Sequence, residues 1–139
     1  MNYPVAMTRT DGVVMLRCRD IPEFATVGDD EPEALLNAID GLETALMGYM
    51  QDREPIPAGS AAKRGERIVR LPALAVAKLG LYEAMLDNNM RKADLARLLG
   101  VHLPQVDRIL DLRHATKIDQ VEHALGLLGR RIELTVRAA

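Results

Sequence analysis

The chain has no tryptophan, a single phenylalanine and three tyrosines among its 139 residues. Proteins that read single-stranded RNA stack bases on exposed rings, so this scarcity argues against a stacking RNA binder. Cysteine is nearly absent too. Cys18 has no partner for an internal bridge and, lying in an apolar run, reads as a small buried side chain. A disulfide-stapled fold is therefore excluded, and a reducing compartment, the cytoplasm, is expected. No stretch reaches the roughly 20 apolar residues of a spanning helix, and Met1–Met7 lacks the basic flank and apolar run of a secretion signal. What is present, 48% hydrophobic and 27% charged residues, is the balance of a folded soluble protein.

Net charge is only −2, but it is unevenly spread. Residues 1–66 carry 6 basic against 12 acidic side chains, and residues 67–139 carry 12 against 8. The first part suits a cationic protein partner and the second suits a phosphate backbone, although plain solvation also produces such a split.

Two short runs rich in β-branched residues, Asn2–Thr8 and Val13–Cys18, flank Asp11-Gly12 and predict a hairpin. Asp20-Ile21-Pro22-Glu23 is expected to break the chain before a third extended stretch, Phe24–Val27, that ends at Gly28. Leu35, Ala38, Ile39, Leu42, Ala45, Leu46, Tyr49 and Met50 then recur at helical spacing. Asp30 caps this helix, with Glu33 as capping-box partner, and it should stop near Asp52, before Glu54-Pro55. Arg53–Glu66 reads as a flexible loop or linker, and Arg67–Leu71 as a strand returning to the first sheet. After Pro72 four helices are expected: one on Leu74, Ala77, Leu81, Ala84 and Met85, then Lys92–Leu99, Leu103–Leu110 and Ile118–Leu128, the last closed by Gly129. Arg131–Arg137 alternates Ile132, Leu134 and Val136 and reads as a strand, most simply paired with a copy of itself across a two-fold axis. The fold class is α+β, with residues 1–71 as one domain, in which 53–66 is the loop, and 72–139 as the other.

Lys92–Leu110 fits a helix-turn-helix at each geometrically demanding position. Ala96 is small where two helices cross, Gly100 permits a left-handed turn, and Leu95, Leu99, Val106 and Ile109 fill the angle between the helices. An ordinary helical hairpin is the competing reading. The basic residues around the motif, Lys92, Arg108, Arg113, His114 and Lys117, favour DNA; His102, Pro104, Gln105, Asp107 and Arg108 are the exposed positions of the second helix, where Gln105 could pair with adenine and Arg108 with guanine. Lys92, Arg113, Thr116 and Lys117 are candidates to hold phosphates. A local ion pair of Arg108 with Asp107 or Asp111 is the alternative for that side chain.

On these residues the chain resembles the HicB antitoxins of bacterial toxin–antitoxin operons. In the first half the resemblance rests on Tyr3-Pro4-Val5, the Asp-Gly turn, Asp20-Ile21-Pro22, Thr26-Val27-Gly28-Asp29, Glu33-Ala34, Ile56-Pro57 and Leu71-Pro72. Leu95-Ala96-Arg97 and the run His114–Asp119 match the subgroup with a helix-turn-helix. The resemblance implies a partial RNase-H-like β-β-β-α-β domain that binds and occludes HicA, a small basic mRNA-cleaving toxin. It also implies a domain that binds operator double-stranded DNA as a homodimer or higher oligomer and represses its own operon.

Catalysis is not expected. An RNase-H-like site needs carboxylates converging on metal, and Asp11, Asp20 and Asp40 fall in a turn, a break and a helix, with none in the first strand. Ser60 is the only serine and sits in an Ala/Gly segment, while His102, His114 and His123 lack zinc-ligand spacing. Neither cofactor nor metal is implied. Met47, Met50, Met85 and Met90 read as core, and the acidic run Asp29–Glu33 as helix capping. The principal alternative is a stand-alone transcriptional regulator whose first domain senses a small ligand, which an apolar pocket with a few polar groups would betray.

Overall fold

The computed structural model describes residues Met1–Ala139, which fall into two compact units, Met1–Ala75 and Val76–Ala139. The first opens with strands β1 (Asn2–Thr10) and β2 (Val13–Cys18), joined by the two-residue turn Asp11-Gly12. Both turn residues have positive φ, 52° and 76°, which matches the right-handed twist of the strands it joins. Strand β3 (Ile21–Gly28) follows, and β4 (Arg67–Arg70) returns to the free side of β1, giving an antiparallel sheet in the order β3-β2-β1-β4.

The expected break at Ile21-Pro22 does not occur. Cys18 pairs with Ile21 across a tight turn, and the strand runs through Pro22. β3 lies at the sheet edge, where a residue without an N–H need not cost a ladder bond.

Helix α1 (Glu31–Gln51) covers one face of the sheet. Its first turn is fixed locally: the Asp30 carboxylate accepts from the Glu33 N–H at 2.9 Å, and Pro32 occupies the first turn. The inner face of the sheet buries Tyr3, Val5, Val14, Leu16, Cys18, Ile21 and Phe24, and α1 buries Ala34, Ala38, Leu42 and Leu46 against it. Burial pushes the Cys18 thiol above its ordinary value, which keeps it protonated.

Arg53–Glu66, expected to be flexible, is instead pinned. Pro57 O accepts from the Tyr3 hydroxyl at 2.6 Å, and Asp20 accepts from both the Ser60 N–H and its hydroxyl. Arg19 bridges Ala61 O and Glu66. These polar groups lie far apart in sequence, so composition carries no trace of the clasp. The two bonds from Ser60 hold the Asp20 carboxyl below its usual range. An acid whose folded-state pKa is lowered contributes stability above its unfolded pKa and loses it as pH falls through the folded one. In an acid titration by NMR the Ser60 amide should therefore move with a midpoint below 3.8, the ordinary aspartate value. A midpoint at or above 3.8 would dissolve the clasp.

The second unit is helical: most of α2 (Ala73–Asp87), α3 (Lys92–Leu99), α4 (Leu103–Leu110) and α5 (Ile118–Leu127). α2 buries Ala77, Leu79, Leu81, Tyr82, Ala84 and Met85, several faces at once, as a central helix does. Gly129, with φ of 73°, follows α5 in the left-handed conformation of a helix-ending glycine.

Arg131–Arg137 forms no strand, contrary to its alternating pattern. This unit contains no sheet, so the segment has no ladder to join within it. Leu134 and Val136 are left 63% and 85% exposed.

Candidate nucleic-acid interface

Helices α3 and α4, eight residues each, are joined by the three-residue turn Gly100-Val101-His102. Gly100 takes φ of 68°, ψ of 35°, and the Val101 N–H closes the end of α3 by donating to Ala96 O at 3.0 Å. Leu95 and Val106 are fully buried, Ala96 and Ile109 nearly so, and Leu99 is half-buried. The six residues singled out for the motif thus occupy its inside or its turn.

The outward face of α4 carries His102, Gln105, Asp107 and Arg108. The Arg108 side chain is exposed and makes no ion pair with Asp107 or Asp111. Asp107 instead pairs with Lys92 across the two helices at 2.9 Å. Gln105 is engaged as well: its amide oxygen accepts from the His102 N–H at 3.2 Å and caps α4. A bidentate contact to adenine uses both ends of the amide, so Gln105 would have to release this cap.

After α4 the chain turns through Asp111–Lys117. The Asp111 carboxylate accepts from the Arg113 N–H at 3.0 Å, which bends the backbone locally. Arg113, His114 and Lys117 are exposed. Thr116 is not. Its hydroxyl, expected at a phosphate, is buried, hydrogen-bonded to Arg108 O at 3.2 Å and within 3.0 Å of His114 Nδ1. Beside α4 a cleft of about 600 Å³ is lined by Gln105, Arg108, His114, Lys117, Gln120 and His123, among others. Arg108 and Lys117 are its cations, set beside Asp119 and over an apolar floor of Leu99, Val101 and Ile109.

One residue was missed altogether. Lys78 of α2 is 0% exposed, and the three N–H groups of its ammonium are shared among four oxygens within hydrogen-bond distance: Arg108 O at 3.1 Å, Asp111 O at 2.6 Å, His114 O at 2.8 Å and Thr116 Oγ1 at 2.8 Å. The signal available was a lone lysine with apolar Leu74, Ala75, Leu81 and Tyr82 three and four residues to either side. A long cationic side chain in such a stripe ordinarily snorkels to solvent, so the pattern by itself does not reveal an internal role.

No group of three His, Cys, Asp or Glu side chains is placed to hold a metal ion, and no helix is long and apolar enough to cross a membrane.

A four-stranded sheet covered by one helix, followed by a helical unit with a helix-turn-helix arrangement, defines a two-unit α+β protein. The family model for the HicB-like antitoxin of bacterial toxin–antitoxin systems matches residues 2–80, and the chain belongs to that family. It is 49% identical to Antitoxin HicB of Pseudomonas fluorescens (strain Pf0-1) over 139 residues, 99% of this chain and 95% of the relative. It is 42% identical to Antitoxin HicB 2 of Photorhabdus laumondii over 134 residues, and 35% identical to Antitoxin HicB of Escherichia coli (strain K12) over 137. These cover 96% and 98% of this chain and 95% and 99% of the relatives. The family match ends within α2, whereas the relatives extend through the helix-turn-helix.

Proposed function

We propose that the chain is a non-catalytic antitoxin and autorepressor of the cytoplasm. Its first unit, read as a partial RNase-H-like domain, neutralises a HicA-like mRNA-cleaving toxin by direct binding; its second binds operator DNA as a homodimer. The observation that carries the first half is family membership together with the acidic balance of residues 1–66, which complements a basic toxin. The second half rests on the outward Arg108, without an internal ion pair, beside a loop rich in exposed cations. Dimerisation follows from the need to engage two half-sites, with the exposed, alternating Arg131–Arg137 as the pairing edge.

The test is to purify the tagged protein gently from its native cells and identify its stoichiometric companion by mass spectrometry. A small basic protein that arrests growth when expressed alone, and is silenced by co-expression, is the expected result. Recovery of operator DNA with no such companion would move the ligand-sensing regulator ahead.

Two substitutions separate reading from holding. Arg108→Ala should reduce discrimination between operator and unrelated duplex by about 1–3 kcal/mol. Lys92→Ala should weaken both duplexes alike and flatten the dependence of log affinity on log salt by about one unit. Equal salt slopes for wild type and the Lys92 variant would remove Lys92 from the phosphate contacts and leave it as the partner of Asp107.

A further inference from the structure

The ammonium of Lys78 is fully buried and held by oxygens from three places in the chain after α2: the last turn and cap of α4, the loop, and the residue before the α5 cap. Placing a charge in a protein interior is costly, and a Met or Leu would fill similar volume without that cost. The cost is offset here by hydrogen bonds to carbonyls at the α4 carboxyl end, the negative pole of its dipole, whose second lone pairs remain available beside the bonds that Arg108 O accepts from the Asp111 N–H and Asp111 O from the His114 N–H. An apolar side chain at this position would leave the Arg108, Asp111 and His114 carbonyls only their backbone partners, the N–H groups of Asp111, His114 and Thr116, and would remove the one group that joins all of them.

The same oxygens belong to residues whose neighbourhood faces outward. Arg108 gives its carbonyl to Lys78 and to the Thr116 hydroxyl while its side chain projects from α4. His114 and Thr116 give their oxygens inward, while Arg113 and Lys117, one residue before and after them, are exposed. Thr116 is thus fastened on two sides, to the ammonium and to α4. A single internal cation therefore links the backbone of the base-reading helix to that of the loop.

We infer that Lys78 is a positioning residue for DNA recognition, fixing the Asp111–Thr116 loop against α4 so that Arg113 and Lys117 meet the phosphate backbone while Arg108 enters the groove. This rests on the DNA-binding reading above and adds to it the internal device that aligns the two sets of contacts. Thr116 acts with Lys78 as the neutral member of the same device.

Full-length wild type, Lys78→Met and Thr116→Val would be titrated onto an operator fragment and an unrelated duplex across a range of salt. Their folded fractions would be measured in parallel by circular dichroism. Misplacing the loop removes phosphate contacts, so Lys78→Met should flatten the salt slope by about two units and lower operator preference at least tenfold. Thr116→Val, which keeps the cation and removes one acceptor, should flatten the slope by about one unit while remaining folded. A variant that is merely destabilised has a smaller active fraction with unchanged slope and unchanged preference. That pattern in Lys78→Met, or in Thr116→Val should the lysine variant fail to fold, would overturn the assignment. If wild type showed no preference for its operator at any salt, the DNA-binding reading itself would fall, and Lys78 with it.

Discussion

Removing the chain after Gly129 is expected to abolish dimerisation and to weaken operator binding about a hundredfold or more, with capture of the toxin left intact. The segment lost, Arg130–Ala139, contributes almost nothing to the core of its own unit: only Ile132 is even half-buried, and Arg130 makes an ion pair with Asp87 at 2.7 Å. Exposed ion pairs of this kind are worth little, so the truncated unit should still fold. The segment leaves Leu134 and Val136 in solvent on an extended-type pattern with no strand beside it. Two copies side by side would satisfy both the backbone and the apolar positions. Linking two DNA-reading units makes the second contact intramolecular, which raises affinity by about two to four orders of magnitude over either alone. Light scattering on the truncated protein, together with gel-shift titration, checks both parts. A truncated protein that remained dimeric with full operator affinity would move the two-fold contact elsewhere on the molecule.

The second large effect is expected at Gly59. A β-carbon built there would lie 1.7 Å from the carbonyl oxygen of Asn2 and 2.9 Å from its carbon, both backbone atoms of β1 that cannot swing aside. Gly59→Ala must therefore lift the Arg53–Glu66 loop from the strand, with loss of the Tyr3–Pro57 and Ser60–Asp20 hydrogen bonds. Overpacking of this kind costs about 1–3 kcal/mol. For a unit of this size each kcal/mol lowers the melting temperature by about 4–8 °C. The DNA-binding unit should keep its own operator affinity. An unchanged melting temperature would mean that the loop is the slack linker its composition describes.

That contrast marks where local reasoning stops. The Asp11-Gly12 hairpin, the Asp30 cap of α1, the Gly100 turn and the inward positions Leu95, Ala96, Val106 and Ile109 were all legible. In each case the decisive interaction is made within a few residues, or the periodicity of one helix dictates it. Pro22 was misjudged because tolerance of a proline depends on whether the strand lies at an edge, which is a property of the whole sheet. Thr116 reads as a phosphate ligand when residue type and nearby basic charge are the only guides. Its inward direction is set by a carbonyl eight residues earlier and an ammonium 38 residues away.

By themselves, then, the residues determined the order and kind of the elements as far as α5, and the turn between α3 and α4. These follow from propensity, spacing and capping, all short-range in the chain. Tertiary structure alone decided that a loop poor in large apolar residues is clasped, that Arg131–Arg137 has no strand to join in its own unit, and that Lys78 lies inside. Each of those outcomes depends on which distant backbone oxygens and N–H groups come within about 3 Å of one another. No sequence interval encodes that distance; only the packed chain sets it.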